Sequence, residues 1–190
     1  MIAGLLLAAG AGRRYGMPKA LVDGGAWLHR AVATLTDGGC DSVLVVVGAQ
    51  ADRVLPLVPA TAATVLAADW AQGMGASLRA GLAELVRSAP PQVQAALVHL
   101  VDLPDVDAAG VRRLVALAGP AVVVRVGFET QPGHPVLFGR QHWADIVASA
   151  HGDRGARDWL AQRSDLIVVD CSDLASGIDV DTPSSAAQQP

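Results

Sequence analysis

The stretch Leu7-Ala-Ala-Gly-Ala-Gly-Arg-Arg-Tyr-Gly-Met-Pro-Lys19 decides how this chain is read. It continues an apolar run of buried-strand length, Ile2–Ala8. In open α/β sheets, ligands bind beyond the carboxyl ends of such strands. Gly10, Gly12 and Gly16 let the backbone approach a ligand and aim several N–H groups one way, which suits a phosphate chain. Arg13 or Arg14 can fork two phosphate oxygens, and Lys19 can place a point charge beside them. Two familiar phosphate loops do not fit. A P-loop needs GxxxxGKS/T, whereas Met17 and Pro18 separate Gly16 from Lys19, and Ala20 follows. A dinucleotide fingerprint needs GxGxxG, whereas Tyr15 stands where the third glycine belongs. Spacing alone leaves two readings open: a phosphate cradle, or a glycine-rich turn with surface charges.

Outward from the loop, apolar runs alternate with helical periodicity. Ser42–Val47, Ala63–Ala67, Ala95–Val101 and Ala121–Val126 are further buried-strand runs. Ala26–Leu35, Ala76–Arg87 and Ala108–Leu117 carry apolar residues at three- and four-residue spacing, as in Leu78, Leu82 and Leu85 against Arg79, Glu84 and Arg87. This alternation predicts βαβ units and a mostly parallel sheet covered on both faces. Beyond it, Gln131–Pro135 reads as a Gly/Pro loop before a short strand, Val136–Phe138. His142–Ala150 and Ala156–Gln162 read as helices, and Asp165–Asp170 as a last strand. One domain over residues 1–183 is expected, with 184–190 a frayed tail.

Composition narrows the class. A hydrophobic fraction of 52% with 17% charged residues is far from disorder. A net charge of −4 without a basic run argues against nucleic-acid binding. No apolar stretch in the first part is long enough to span a bilayer, so the expectation is a cytoplasmic chain with no membrane contact. Cys40 and Cys171 form no CxxC, which disfavours a zinc knuckle or disulfide scaffold. Of the 14 basic residues, 13 are arginine, which leaves Lys19 as the one lysine. Codon bias explains why lysine is scarce; it does not explain why the survivor ends a glycine-rich loop.

Two more segments carry suggestive chemistry. His99-Leu-Val-Asp-Leu-Pro-Asp105 closes the fourth strand run. Asp102 can hold Mg²⁺ through oxygen while waters and phosphates fill the other positions. A helix cap is the competing reading, and it suits Asp105 or Asp107 better. In Asp179-Val-Asp181-Thr-Pro, alternation puts both carboxylates on one side of an extended chain. Asp69-Trp-Ala-Gln-Gly-Met-Gly-Ala-Ser-Leu-Arg-Ala-Gly81 leads into the third helix, where Gly73 can shape a base-and-ribose pocket and Ser77 can hydrogen-bond in it. Ser77 reads equally well as a first-turn helix residue.

The loop string Leu-Ala-Ala-Gly-x-Gly-x-Arg-x-Gly-x-Pro-Lys resembles the signature of the MobA-like nucleotidyltransferases. That resemblance implies a three-layer α/β/α Rossmann-like sandwich of the glycosyltransferase-A type. It implies that Leu7, Ala8, Ala9, Gly10, Gly12, Arg13 or Arg14, and Lys19 bind a nucleoside triphosphate. Arg14 and Lys19 then neutralise the phosphates during catalysis. Asp102 stands at the family's metal-binding Asp-x-Pro, and Asp179 or Asp181 at its second metal contact. Gly133-His-Pro-Val-Leu-Phe-Gly139 and Gly152-Asp-Arg-Gly-Ala-Arg157 are similar to the molybdenum cofactor cytidylyltransferase branch. In that branch the second half lines the pterin side, which makes His134, Asp153 and Arg154 candidate substrate contacts. Leu-Ala-Ala-Gly goes there with cytidine nucleotides and Leu-Ala-Gly-Gly with guanosine nucleotides, so Ala9 favours CTP over GTP. The implied acceptor is a molybdopterin-type phosphate, and the implied protein partner a molybdoenzyme or its chaperone. Other acceptors stay open, among them a sugar phosphate, as does a non-catalytic cofactor chaperone.

The remaining conspicuous residues take plain readings. His29, His99 and His142 read as ordinary helix or strand residues, and Cys40 and Cys171 as small buried thiols. Trp27, Trp143 and Trp159 are expected to pack helices on the sheet, whereas Trp70 can stack on a ligand.

Overall fold

A computed structural model describes residues 1–129, 131–177 and Val180. Its elements in chain order are β1 (Ile2–Leu7), α1 (Ala26–Asp37), β2 (Ser42–Val47), α2 (Ala51–Val54), β3 (Ala63–Leu66), α3 (Met74–Ser88), β4 (Ala95–Leu100), α4 (Ala108–Val115), β5 (Val123–Phe128), β6 (Gln131–Gly139), α5 (Trp143–Ser149), α6 (Arg157–Ala161) and β7 (Ile167–Asp170). The seven strands form one sheet in the order β3-β2-β1-β4-β6-β5-β7. All neighbours run parallel except β6, which is antiparallel to both β4 and β5. This is the expected α/β architecture with a mostly parallel sheet.

The strand sequences explain the layering. β1, β2 and β4 are apolar at nearly every position because both sheet faces are covered. Successive residues on β1 face opposite sides. Gly4 lies against Leu35 of α1, while Leu5 lies against Gly81 of α3. The two helices therefore cover opposite faces. α1 buries Trp27, Leu28, Ala31, Val32 and Leu35 along one stripe. Leu28 and Leu35 are fully buried, each contributing about 1.5–3 kcal/mol through area removed from water. α1 ends at Gly38-Gly39, where the Gly38 amide returns to the Thr34 carbonyl and the Gly39 amide to Thr36. Asp107 caps α4 by accepting from the Ala109 and Gly110 amides at 2.9 and 3.1 Å. The helix-cap reading thus belongs to Asp107 and leaves Asp102 for other work.

Trp143 is buried and donates its indole N–H to the Phe138 carbonyl at 2.9 Å, while Trp159 meets Phe138 and His142 edge-on. Both tryptophans pack helices on the sheet, as does Trp27. Burial pushes the Cys40 thiol up to about 12, so it is an inert core group.

Two sequence expectations need correction. Gln131–Pro135 is not a loop: it is the first half of β6, a nine-residue strand. Its prolines lack an N–H, but pairing with Gly127 and Phe128 of β5 holds the segment extended, with a register shift between Arg125 and Gly127. The β5 strand also lies two residues later than the run Ala121–Val126, because a turn through Pro120 and Ala121 precedes it. Residues 184–190 and the pair Asp179 and Asp181 lie outside the described residues.

Candidate active site

After β1 the chain moves outward to β2 and β3, then crosses back to β4 on the other side of β1. The sheet therefore has its switch point between β1 and β4, where a crevice opens beyond the carboxyl ends of the strands. Leu7 pairs with Leu100 at that edge, and both line the crevice. The cleft has a volume of about 420 Å³.

One wall is the glycine-rich loop. Leu7, Ala9, Gly10, Gly12, Arg13, Arg14 and Lys19 all line the cleft. Ala8 does not: it is buried, and its amide donates to the Val46 carbonyl at 3.0 Å, so it anchors the loop to the sheet. The Gly16 amide closes the loop on the Gly12 carbonyl at 2.8 Å. Gly12 has φ +59°, and a Cβ there would stand 1.8 Å from the Met17 carbonyl oxygen. Only glycine fits that turn. Tyr15 packs edge-on against Trp27 with centroids 5.6 Å apart, tying the loop to α1.

The second wall is the end of β4. Asp102 stands two residues past β4 and meets Lys19, whose Nζ donates to Asp102 Oδ2 at 2.8 Å. The two side chains are 11% and 23% exposed, so the pair is partly desolvated. The Val180 amide donates to the Asp102 carbonyl at 3.1 Å, and Val180 is buried. The residue between Asp179 and Asp181 in sequence is thus bonded to the backbone of Asp102. Among the described residues no three His, Cys, Asp or Glu side chains are grouped as a metal centre. Asp102 nevertheless suits a divalent cation: it is a hard oxygen donor facing the cleft, and an ammonium already sits on it.

The third wall is the start of α3 with the segment before α6. Trp70, Gly73, Met74, Ser77 and Asp153 line the cleft. Gly73 has φ +110°, and a Cβ there would meet Asp153 Oδ1 at 2.3 Å and the Gly152 carbonyl at 2.7 Å. Its missing side chain lets the Asp153 segment close over the cleft. Arg79 of α3 holds this corner by donating to Asp69 Oδ2 and to the Ala150 carbonyl, both at 2.7 Å.

Arg154 and His134 are not among the cleft-lining residues. Arg154 pairs with Asp158 at 2.6 Å in an exposed position. His134 is half-buried on β6 rather than on a loop. Burial first, then Arg125, hold its pKa down at about 4, against a smaller upward pull from Asp102. It is neutral at pH 7. His99 is fully buried on β4 with Nδ1 unpartnered, and its pKa falls to about 3. Sequence reasoning missed one feature. The direct Lys19–Asp102 pair joins residues 83 apart, which no local pattern reveals.

A profile of the MobA-like NTP transferase domain matches residues 4–166. The chain belongs to the MobA-like NTP transferase family. Membership makes it an enzyme of the nucleotidyltransferase class. A protein named nicotine blue oxidoreductase, from Paenarthrobacter nicotinovorans, is 35% identical over 195 residues, spanning 95% of this chain and 92% of that protein. Among solved structures, Rv0371c from Mycobacterium tuberculosis H37Rv is similar with a TM-score of 0.79 at 26% identity, covering 98% of this chain and 96% of that one. A structure of Rv0371c in complex with manganese matches with a TM-score of 0.75 at 25% identity and the same coverage. A nucleotidyl transferase from Methanothermobacter thermautotroptrophicus shares the fold with a TM-score of 0.82 at 20% identity, covering 99% and 95%. Among the described residues no helix is long and apolar enough to cross a membrane.

Proposed function

We propose that this protein is a Mg²⁺-dependent cytidylyltransferase that moves CMP from CTP onto the phosphate of a molybdopterin-type acceptor. The observation that carries the proposal is the Lys19–Asp102 contact at 2.8 Å. It joins the triphosphate loop and the cation-holding carboxylate across one cleft, at the switch point of the sheet. An acceptor phosphate oxygen attacks the α-phosphorus of CTP, the bond from that phosphorus to the β-bridging oxygen breaks, and pyrophosphate leaves. The glycine loop positions the triphosphate, while Arg13 or Arg14 and Lys19 neutralise charge that builds on pyrophosphate. Asp102, with Asp179 or Asp181, would hold the divalent cation, which when bound screens the reacting phosphates. Ser77 and Gly73 border the space for base and ribose. A phosphate nucleophile is already anionic, so no strong general base is needed. Manganese in the similar Rv0371c structure supports a divalent-cation site in this fold.

Thermal shift against the four NTPs with Mg²⁺ tests the reading. CTP is expected to raise Tm most, and the shift should fall sharply in Asp102→Asn. Selective stabilisation by GTP would move the protein to guanylyl transfer. One observation favours a second reading: the 35% identity to nicotine blue oxidoreductase over most of both chains. On that reading the same loop holds the pyrophosphate of a reduced dinucleotide. NADH and NADPH therefore belong in the same panel, and stabilisation by either with none by any NTP would replace the cytidylyl proposal.

A further inference from the structure

Asp105 follows Asp102 in the turn after β4. It does not line the cleft, and the cap of α4 is Asp107. Its bonds go instead to the far end of the chain. Asp105 Oδ2 accepts from the Ser176 amide at 2.8 Å, the Ser176 hydroxyl at 2.5 Å and the Gly177 amide at 3.1 Å. Its Oδ1 is buried without a partner among the described residues. Desolvating a carboxylate with one oxygen unmatched is unfavourable, and the bonds on Oδ2 offset that only while Ser176 and Gly177 are in place.

The segment held in this way crosses the carboxyl end of the sheet. It leaves β7 at Cys171, whose amide donates to the Gly127 carbonyl of β5 at 2.9 Å, and it meets the Asp102 carbonyl through the Val180 amide at 3.1 Å. β5 and β4 are separated by β6, so they lie about 10 Å apart. From Cys171 to Val180 an extended chain could reach about 30 Å. Connectivity alone therefore leaves slack, and Asp105 takes it up. Gly177 adds a second constraint: its φ is +65°, and a Cβ there would stand 2.0 Å from the Phe128 ring. Glycine lets the segment lie directly on the end of β5. Two anchored residues thus flank Asp179 in sequence, Gly177 on Asp105 and Val180 on Asp102.

We propose that Asp105 is a positioning residue for the cation site. It fixes the C-terminal segment on the turn after β4, so that a carboxylate of the Asp179 and Asp181 pair meets the cation that Asp102 holds. This rests on the reading above that Asp102 and one of that pair are the cation's ligands. Asp105 touches neither metal nor nucleotide; it spares the metal the ordering of its second ligand. Removing a group that orients a metal's ligands weakens affinity by about 10- to 100-fold.

Mn²⁺ titration of the full chain, followed by electron paramagnetic resonance without nucleotide, tests this. Asp105→Ala should weaken Mn²⁺ binding about tenfold or more, and Asp105→Asn, which keeps an acceptor, should recover part of the loss. Gly177→Ala should weaken it as well, because its methyl group displaces the segment without removing a polar atom. Asp107→Ala, which removes only the nearby helix cap, should stay within about twofold of wild type. In an Asp179→Asn, Asp181→Asn background, adding Asp105→Ala should change the affinity by less than about twofold, since the ligand it positions is gone. Ser176→Ala removes one bond from an exposed side chain and should cost about two- to fivefold, which keeps the test open if Asp105→Ala does not fold. The proposal is overturned if the Asp105, Ser176 and Gly177 variants bind Mn²⁺ like wild type, if Asp107→Ala loses as much as Asp105→Ala, or if Asp105→Ala keeps its full effect in the double-asparagine background. Loss of binding in Asp102→Asn but in none of these variants would overturn the positioning role alone. A wild type that binds no Mn²⁺ would remove the cation reading and the proposal with it.

Discussion

Lys19→Met should tighten divalent-cation binding in the absence of nucleotide, even as it destroys turnover. The ammonium lies 2.8 Å from Asp102 Oδ2 and so occupies the oxygen a cation would need. The raw attraction at an effective dielectric of about 20 is 332/(20 × 2.8), or about 6 kcal/mol, which is a ceiling. Side-chain exposures of 11% and 23% mean water and desolvation offset most of it, leaving about 1–2 kcal/mol of net coupling. A cation arriving at Asp102 must displace that partner. Removing the ammonium should therefore raise Mn²⁺ affinity by about 5- to 30-fold. Methionine keeps the side-chain volume, so the fold should survive, and a thermal melt checks this. Mn²⁺ titration followed by electron paramagnetic resonance, without nucleotide, measures the effect. Turnover with nucleotide should meanwhile fall by about 10²–10³, the scale for removing one preorganised donor at a developing charge. Mn²⁺ affinity in Lys19→Met equal to or below that of wild type would refute both the competition and the assignment of Asp102 as the cation's ligand.

Two further outcomes follow from the fold. His99 has a folded pKa near 3, against about 6.5 unfolded, so between those values the unfolded chain binds a proton that the folded chain refuses. That contribution to stability is complete above about pH 6.5 and shrinks by about 1.4 kcal/mol per unit as pH falls towards 3. His99→Leu, which also removes an unpartnered buried nitrogen, should flatten urea midpoints measured between pH 7 and 5; parallel curves for variant and wild type would show the slope comes from elsewhere. Asp107→Ala should cost about 1 kcal/mol in urea unfolding by removing the α4 cap, yet leave the NTP thermal shift intact. Loss of nucleotide binding in that variant would mean that Asp107, not Asp102, serves the cleft.

How much of this was legible in the sequence depends on the range of the interaction involved. The start of β1 and both ends of β2 fall where the apolar runs place them, because burial on two faces leaves a continuous signal in the chain itself. β5 and β6 were misplaced for the complementary reason. The segment 121–138 interrupts its apolar residues with Arg125, Glu129, Gln131 and His134 and carries four glycines and prolines, so its strand ends are set by pairing with neighbours rather than by its own composition. The hairpin turns through Glu129 at φ +54°, an uncommon position for glutamate that no turn signature announces. In the site, Gly12, Arg14 and Lys19 were visible because a phosphate loop writes itself into one short stretch. The contact between Lys19 and Asp102 was not, since it joins two segments 83 residues apart.

The Lys19–Asp102 pair also shapes how ligands must arrive. A cation alone would leave the ammonium without its carboxylate, and a triphosphate alone would leave the carboxylate without its ammonium. In a partly desolvated cleft each half-step gives up a charge-assisted contact. A metal and a nucleotide together replace the contact from both sides: the carboxylate takes the cation, and the ammonium takes a phosphate. Binding of the two should therefore be cooperative, and by linkage each must raise the affinity for the other by the same factor. Repeating the Mn²⁺ titration with and without CTP measures that factor. It should shrink in Lys19→Met, because the variant has no pair to divide. The resting pair thus weakens each ligand when it binds alone, which fits a cleft built to bind the metal–nucleotide complex rather than its parts.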